Sequence, residues 1–247
     1  MRYGVFSDLH ANYQALRVVL DKFREENVEG YIFCGDLVGY GPSPQACVQT
    51  VKKLPNLAIV MGNHDKALTD PAIITFFTPD SIIPIMLANR EMTSENFKFM
   101  STLPEKYLGT EFSIVHGTFF DPYKEYLLTP RQFKDNAAKW PGNVCFVGHS
   151  HIPFIMRSQN GGPAKIELFP SNSDTEVQLY DDSRYMINPG SVGQPRDENP
   201  RASAGIFDSD KNTFKLIRAE YDVKETQRKM AEKNFPQRLI DRIALGL

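Results

Sequence analysis

Five short apolar runs set the pattern of the first 150 residues: YGVFS at 3–7, GYIFC at 30–34, LAIVM at 57–61, FSIVH at 112–116 and VCFVG at 144–148. They are rich in Val, Ile and Phe with few polar positions, as strands covered on both faces are. Between the first two runs, residues 12–27 place Leu16, Val19, Leu20 and Phe23 at helical intervals, with charge on the opposite side. Residues 43–54 repeat the pattern, with Ser43 and Pro44 as cap and first helical residue. The opening third therefore reads as β-α-β-α-β, the signature of a parallel sheet with crossover helices.

The pattern then changes. Residues 70–107 look helical and carry large apolar side chains such as Phe76, Phe77, Ile82, Ile85 and Phe97. Such a segment packs flat on the body, or stands as a cap over a cleft, or offers a partner surface. Further on, GGPAKIELF, EVQLY, RYMINPG, ASAGIFDSD and TFKLIRAEY alternate with turn residues and predict hairpins in a second, mostly antiparallel sheet. SQNGGP at 158–163 and PSNSD at 170–174 read as loops within that half. Residues 222–234 predict a charged helix, with a last turn or two after Pro236. No repeat or linker divides the chain, so one domain over 1–247 with a helical cap insertion at about 70–107 is expected.

Polar chemistry collects where the apolar runs stop. The first ends in Asp8-Leu9-His10, the second in Gly35-Asp36, the third in Gly62-Asn63-His64-Asp65, the fourth in His116-Gly117 and the fifth in Gly148-His149-Ser150-His151. In open α/β sheets that edge is where ligands bind. All five histidines of the chain lie in these motifs. The pairs Asp8-x-His10 and His149-x-His151 would put both side chains on one face of extended chain. Imidazoles mixed with carboxylate and amide oxygens suit Mn, Fe, Zn, Co or Ni as divalent ions.

Seven candidate ligands are too many for one centre and enough for two, if one carboxylate bridges. Two divalent ions against the carboxylates of Asp8 and Asp36 leave a net positive site, which lowers the pKa of a shared water and attracts a phosphoryl group. Phosphate-ester hydrolysis is the chemistry that follows. His64, next to a hard-oxygen donor in Asn63, points past the metals, and an ordinary imidazole pKa near 6.5 suits a proton donor to the leaving oxygen. Asp65 reads as a carboxylate that orients an imidazole.

Composition narrows the alternatives. A net charge of −2 provides no basic field for nucleic acid, so no nucleic-acid surface is expected. The three cysteines, Cys34, Cys47 and Cys145, make neither a disulfide framework nor a thiolate zinc site. The chain opens on MRYGVFSDLH without the basic and apolar regions of a signal peptide, and no apolar stretch reaches the roughly 18 residues a membrane helix needs. A cytoplasmic protein without membrane contact is expected.

The series DLH, GDLVGYG, GNHD, HG and GHSH, in that order, resembles the calcineurin-like metallophosphoesterase superfamily. NPGSVGQPRD at 188–197 is similar to the bacterial and archaeal phosphodiesterase branch, close to the Vps29-like family. The resemblance implies an α/β fold, a four-layer α/β/β/α sandwich of two mixed sheets. It further implies that Asp8, His10 and His151 hold one metal, that Asn63, His116 and His149 hold the other, that Asp36 bridges and that His64 is the general acid. A homodimer is also compatible with it.

Two departures bear on substrate. The superfamily's protein phosphatases carry GDxxDRG and GNHE, where this chain has Gly35-Asp36-Leu37-Val38-Gly39-Tyr40-Gly41 and GNHD, with no arginine after the GD. A small phosphodiester or nucleotide-type ester, cleaved by metal-bridged hydroxide, fits better than a phosphoprotein. A phosphomonoesterase or a dinucleoside polyphosphate hydrolase would share every motif. A non-catalytic Vps29-like scaffold would lack His64. The NPGSVGQPRD segment is expected to brace the metal edge, and Arg196 to reach a substrate phosphate, with Asn12 and Tyr40 at the mouth.

Overall fold

The computed structural model of the protein describes residues 1–170 and 175–247, so the loop expected at 170–174 lies, after Pro170, outside the described residues. One sheet runs in the order β3-β2-β1-β11-β12-β9. Its strands are β1 (Arg2–Phe6), β2 (Gly30–Phe33), β3 (Leu57–Ile59), β9 (Thr175–Gln178), β11 (Ala202–Asp208) and β12 (Thr213–Ala219). The other runs β4-β5-β6-β10-β7-β8. It is built from β4 (Lys106–Leu108), β5 (Ser113–Val115), β6 (Val144–Phe146), β7 (Phe154–Gln159), β8 (Lys165–Leu168) and β10 (Ser183–Asn188).

Both sheets are mixed. β1 pairs parallel with β2 and antiparallel with β11, and β10 pairs parallel with β6 and antiparallel with β7. The sequence reading placed the apolar runs at 112–116 and 144–148 with the N-terminal sheet and gathered the later hairpins into a separate antiparallel one. The structure distributes them otherwise: β5 and β6 belong to the second sheet, while β9, β11 and β12 complete the first. Strand β4 takes the last residues of the segment expected as helical insertion, and β7 runs on through Ser158 and Gln159, the first two residues of the loop expected at 158–163, because they pair with Arg184 and Ser183 of β10.

Period-two alternation explains the layers. Val5, Ile32, Phe146, Tyr185, Ile187, Phe207 and Phe214 form one cluster that draws on both sheets, which face each other across it. The alternate residues Phe6 and Phe33 face the other way into a cluster with Leu16, Val19 and Phe23 of α1 (Tyr13–Glu25) and Cys47, Val48 and Val51 of α2 (Pro44–Val51). On the far side, Val115, Cys145 and Met186 pack with Phe133 and Trp140, beneath α6 (Pro130–Asn136). The order is thus helix, sheet, sheet, helix.

Between β3 and β4 lie α3 (Asn63–Thr69), a 3-10 turn at Pro71–Phe76, α4 (Pro79–Glu91) and α5 (Ser94–Ser101). Ile85, Ala88 and Met100 of this segment join the core against α1 and α2, while Phe76 and Met86 stay exposed. The chain closes with α7 (Val223–Glu232), capped by Asp222, and α8 (Gln237–Arg242) after Pro236. Leu87 of α4 packs with Met230, Phe235, Leu239 and Ile243 of that C-terminal pair. All three cysteines are buried and free. Among the described residues no helix is long and apolar enough to cross a membrane.

Candidate metal centre

The carboxyl ends of β1, β2 and β3 from one sheet meet those of β5 and β6 from the other, and the polar motifs lie there. Local backbone does the aiming. Asp8 (φ 51°), His10 (48°), Asp36 (60°), His149 (69°) and His151 (61°) all adopt the left-handed region. The DxH and HxH pairs therefore do not converge by strand alternation, as the spacing suggested; each runs through a left-handed kink beyond its strand. For residues with a Cβ this costs roughly 1–2 kcal/mol each, and such strain persists only where the surroundings over-determine it.

The NPGSVGQPRD segment is much of that surrounding. Ser191 Oγ (2.8 Å) and Gly193 N (3.0 Å) both donate to the Asp8 carbonyl, and Val192 N donates to that of Ser7 (3.0 Å). Asn188 Nδ2 donates to the Gly148 carbonyl at 2.7 Å and to Ser150 Oγ at 3.0 Å. Every one of these bonds holds a candidate ligand or its neighbour in the chain.

Two groups of ligand atoms result, Asp8, His10, Asp36 and His151 in one and Asp36, His116 and His149 in the other, each within 4.8 Å. Asp36 belongs to both. His151 Nε2 stands 3.3 Å from Asp8 Oδ1, His10 Nε2 3.6 Å from Asp36 Oδ2, and His116 Nε2 3.3 Å from the same oxygen. Asn63 Oδ1 lies 3.1 Å from His116 Nε2, so the amide joins the second group.

The imidazoles are oriented from behind. His10 Nδ1 faces the Val38 carbonyl (3.1 Å), His151 Nδ1 that of Gln194 (2.6 Å) and His116 Nδ1 that of Cys34 (2.8 Å). A ring that donates through Nδ1 presents its Nε2 lone pair inward. His10 and His151 consequently turn Nε2 atoms toward each other at 3.0 Å, and the buried Nε2 of His149 has no hydrogen-bond partner. Facing lone pairs and an orphaned acceptor beside two carboxylates fit a pair of cations sharing Asp36, and the absence of a thiolate fits borderline rather than soft ions.

Burial and charge act together on these groups. Burial pushes the Asp8 carboxyl up to about 7. Burial also opposes ionisation of Asp36, yet the His116, His64 and His10 rings outweigh it and hold that carboxyl well below the usual range. Burial works against a charged His116, but Asp36 and then Asp8 prevail and push it up to about 9. His10 and His151 are held low by burial, and His149 falls to about 3.

His64 sits among rings, 4.6 Å from Phe77, 4.6 Å from Tyr40 and 4.8 Å from His10. Its Nδ1 is enclosed without a partner, against Gly39. A Cβ at Gly39, whose φ is +95°, would stand 2.3 Å from that nitrogen. Burial in this cage pushes His64 down to about 4, so the near-neutral imidazole expected from sequence does not hold in the free protein.

Two expected roles are corrected. Asp65 orients no imidazole. Its Oδ2 accepts from Asp36 N (2.9 Å) and Gly62 N (3.1 Å), and its Oδ1 from Leu37 N (2.8 Å) and Val38 N (3.1 Å). It braces the Asp36 loop against the start of α3, where a Cβ on Gly62 would fall 2.1 Å from Asp36 Oδ1. Asn12 does not reach the mouth either. Its amide caps α1 through Ala15 N (3.2 Å), donates to the Gly193 carbonyl (3.1 Å) and accepts from Thr226 Oγ1 (3.2 Å), so both ends are used.

The metal edge opens onto a cleft of about 310 Å³. Asp36, Asn63, His64, His149 and His151 form its floor, with Tyr40 and Arg196 on one side as the sequence suggested. Arg196 lies over the Tyr40 ring, donates to Gln194 Oε1 at 3.0 Å and, among the described residues, pairs with no carboxylate. The lining is completed by Phe76, Phe77 and Thr78 of the insertion and by Tyr123, Lys124 and Tyr126 after β5. Sequence reasoning missed Lys124 and Tyr126. Their one signal was position, a few residues beyond His116-Gly117, and the Tyr126 ring stacks on His149 at 4.0 Å and 14°.

Comparison with known proteins gives the family. A protein of Methanocaldococcus jannaschii described as uncharacterized is 34% identical over 247 residues, covering 98% of this chain and 97% of its own. The crystal structure of a metallophosphoesterase from Sphaerobacter thermophilus is 34% identical, covers both chains in full and superposes with a TM-score of 0.88. A hypothetical protein of Pyrococcus horikoshii, 18% identical over 100% of this chain and 98% of its own, shares the fold at a TM-score of 0.80. The model of the calcineurin-like phosphoesterase superfamily domain matches residues 1–212, a span that begins before Asp8 and ends beyond Arg196. The chain belongs to the calcineurin-like phosphoesterases.

Proposed function

We propose that the protein is a binuclear metal-dependent phosphoesterase acting on a phosphodiester or nucleotide-type ester, with manganese as its working ion. The single observation that carries this reading is Asp36 shared between two ligand groups at the floor of an open cleft. Asp8, His10 and His151 would hold one ion with Asp36, and Asn63, His116 and His149 the other. The metals, when bound, supply Lewis-acid charge and a water acidic enough to ionise near neutral pH.

The chain's own groups account for the rest. Hydrolysis joins a water oxygen to phosphorus, breaks the ester P–O bond and delivers a proton to the departing oxygen. With Nδ1 closed off by Gly39, His64 keeps Nε2 for that proton. The imidazole is neutral in the free protein, and an anionic ester set against it favours the protonated form. Arg196, over the Tyr40 ring at the cleft, can pair with a phosphoryl oxygen. The segment over 70–107 serves as a cap that closes one wall and keeps water from the leaving group.

The test compares bis-p-nitrophenyl phosphate and p-nitrophenyl phosphate with chelator-stripped protein, with and without manganese. Metal-dependent turnover that favours the diester is the expected result. Preference for the monoester would replace the diesterase reading with a phosphatase, and no turnover with any divalent ion would overturn the enzymatic reading.

A further inference from the structure

The part of the cleft lined by the insertion and by residues 123–126 is built unlike the floor. Phe76 is 63% exposed and Tyr126 40% exposed, yet both line the cleft. Large aromatic rings left open beside a polar metal edge cost apolar surface in water, and the cost is recovered when a flat ligand covers them. One face of each ring is already taken. Lys124 Nζ sits 3.6 Å from the centre of the Phe76 ring, and His149 backs Tyr126. Neither ring has a further ring partner among the described residues, so each keeps a face for a ligand. Lys124 pairs with no carboxylate among the described residues and adds positive charge against the Phe76 ring. The Thr78 hydroxyl lines the same cleft as a hydrogen-bonding group, 3.0 Å from the buried Ser81 hydroxyl, which itself donates to the Thr78 carbonyl at 2.8 Å.

We infer that Phe76, Lys124 and Tyr126 form a ring-stacking subsite that selects esters carrying a nucleoside beside the scissile phosphate. The inference rests on the phosphoesterase reading and specifies its substrate class. A sugar phosphate or a glycerol ester has no flat face to offer Phe76. A phosphoprotein side chain brings no ring next to its phosphate unless it is tyrosine. A nucleotide brings a planar base, an anionic tail for Lys124 and Arg196, and a base edge for the Thr78 hydroxyl. A cleft of about 310 Å³ has room for one such group, at the small end of the roughly 300–1,000 Å³ typical of ligand pockets.

The experiment compares two diesters of equal phosphate chemistry on manganese-loaded protein, the methyl ester of adenosine monophosphate and the methyl ester of glycerol phosphate. Hydrolysis of both is followed by phosphorus NMR. Stacking of one base is expected to favour the adenosine ester by roughly 5- to 150-fold in kcat/KM, expressed mainly in KM. In Phe76→Ala that ratio collapses toward one, and in Phe76→Trp it returns. Turnover of both esters at equal kcat/KM, or a ratio untouched by Phe76→Ala, overturns the stacking subsite and leaves the phosphoesterase reading intact. Metal-dependent turnover of neither ester overturns both.

Discussion

Replacing Asp65 by Asn changes one atom behind the candidate ligands and tests how the site is held. The carboxylate accepts four backbone N–H groups, two on each oxygen: Leu37 and Val38 on Oδ1, Asp36 and Gly62 on Oδ2. An Asn amide has one acceptor and one donor. Whichever way it is flipped, two buried N–H groups lose their acceptor and meet an NH₂ instead. A buried donor left unsatisfied costs about 1–3 kcal/mol, so the pair costs about 2–6 kcal/mol. At about 2–4 °C per kcal/mol for a chain of this size, D65N should melt on the order of 10 °C below the wild type. Differential scanning calorimetry of the metal-free protein measures this directly. Either flip frees backbone of the Asp36–Val38 turn, which carries the shared carboxylate, so manganese affinity by titration calorimetry should weaken as well. A D65N protein that melts within 2 °C of wild type and binds manganese equally would refute the bracing role.

Asp36→Asn should lose the second metal and weaken the first, because both ligand groups draw on this carboxylate; metal-to-protein stoichiometry after gel filtration checks it. His64→Ala should retain both metals and lose about 10²- to 10⁴-fold in kcat, most with alkoxide leaving groups; full activity on such esters would sink the acid assignment. Metal affinity should rise with pH. His116 is held at about 9 in the metal-free protein, and a metal needs the neutral ring, so below that pH each unit lowered costs about tenfold in apparent affinity. Competition against a chelator between pH 7 and 9 reads the slope, and a flat profile would contradict it.

Much of the centre was legible because ligand chemistry concentrates rare residue types: five histidines, all at the ends of apolar runs. Helices α1 and α7 were legible for a similar reason, each showing a clear period and a side-chain cap at Asn12 or Asp222. Sheet membership was not. FSIVH and YGVFS look alike locally, and only pairing with residues far along the chain sends β5 to one sheet and β1 to the other. Asp65 was misread because its partners are main-chain amides, which no sequence displays, and which lie 27 to 29 residues away for three of the four. The left-handed backbone of Asp8, His10, Asp36, His149 and His151 was equally hidden, since these residue types are not glycines. Phe76 and Tyr126 are ordinary aromatic residues until the fold sets them on one cleft.

The ligand groups join distant stretches of chain. His10 meets His151 across 141 residues, and Asp8 is pinned by Ser191 across 183. Loops of that length close late, after the local helices and hairpins have formed. The cation site is therefore among the last features to assemble, and an ion cannot act as a seed for the fold. Bound metal belongs to the finished structure and not to the transition state that precedes it. Its stabilisation should then appear almost wholly as slower unfolding, with the rate of folding left where it was, which makes the loaded protein long-lived rather than quick to form.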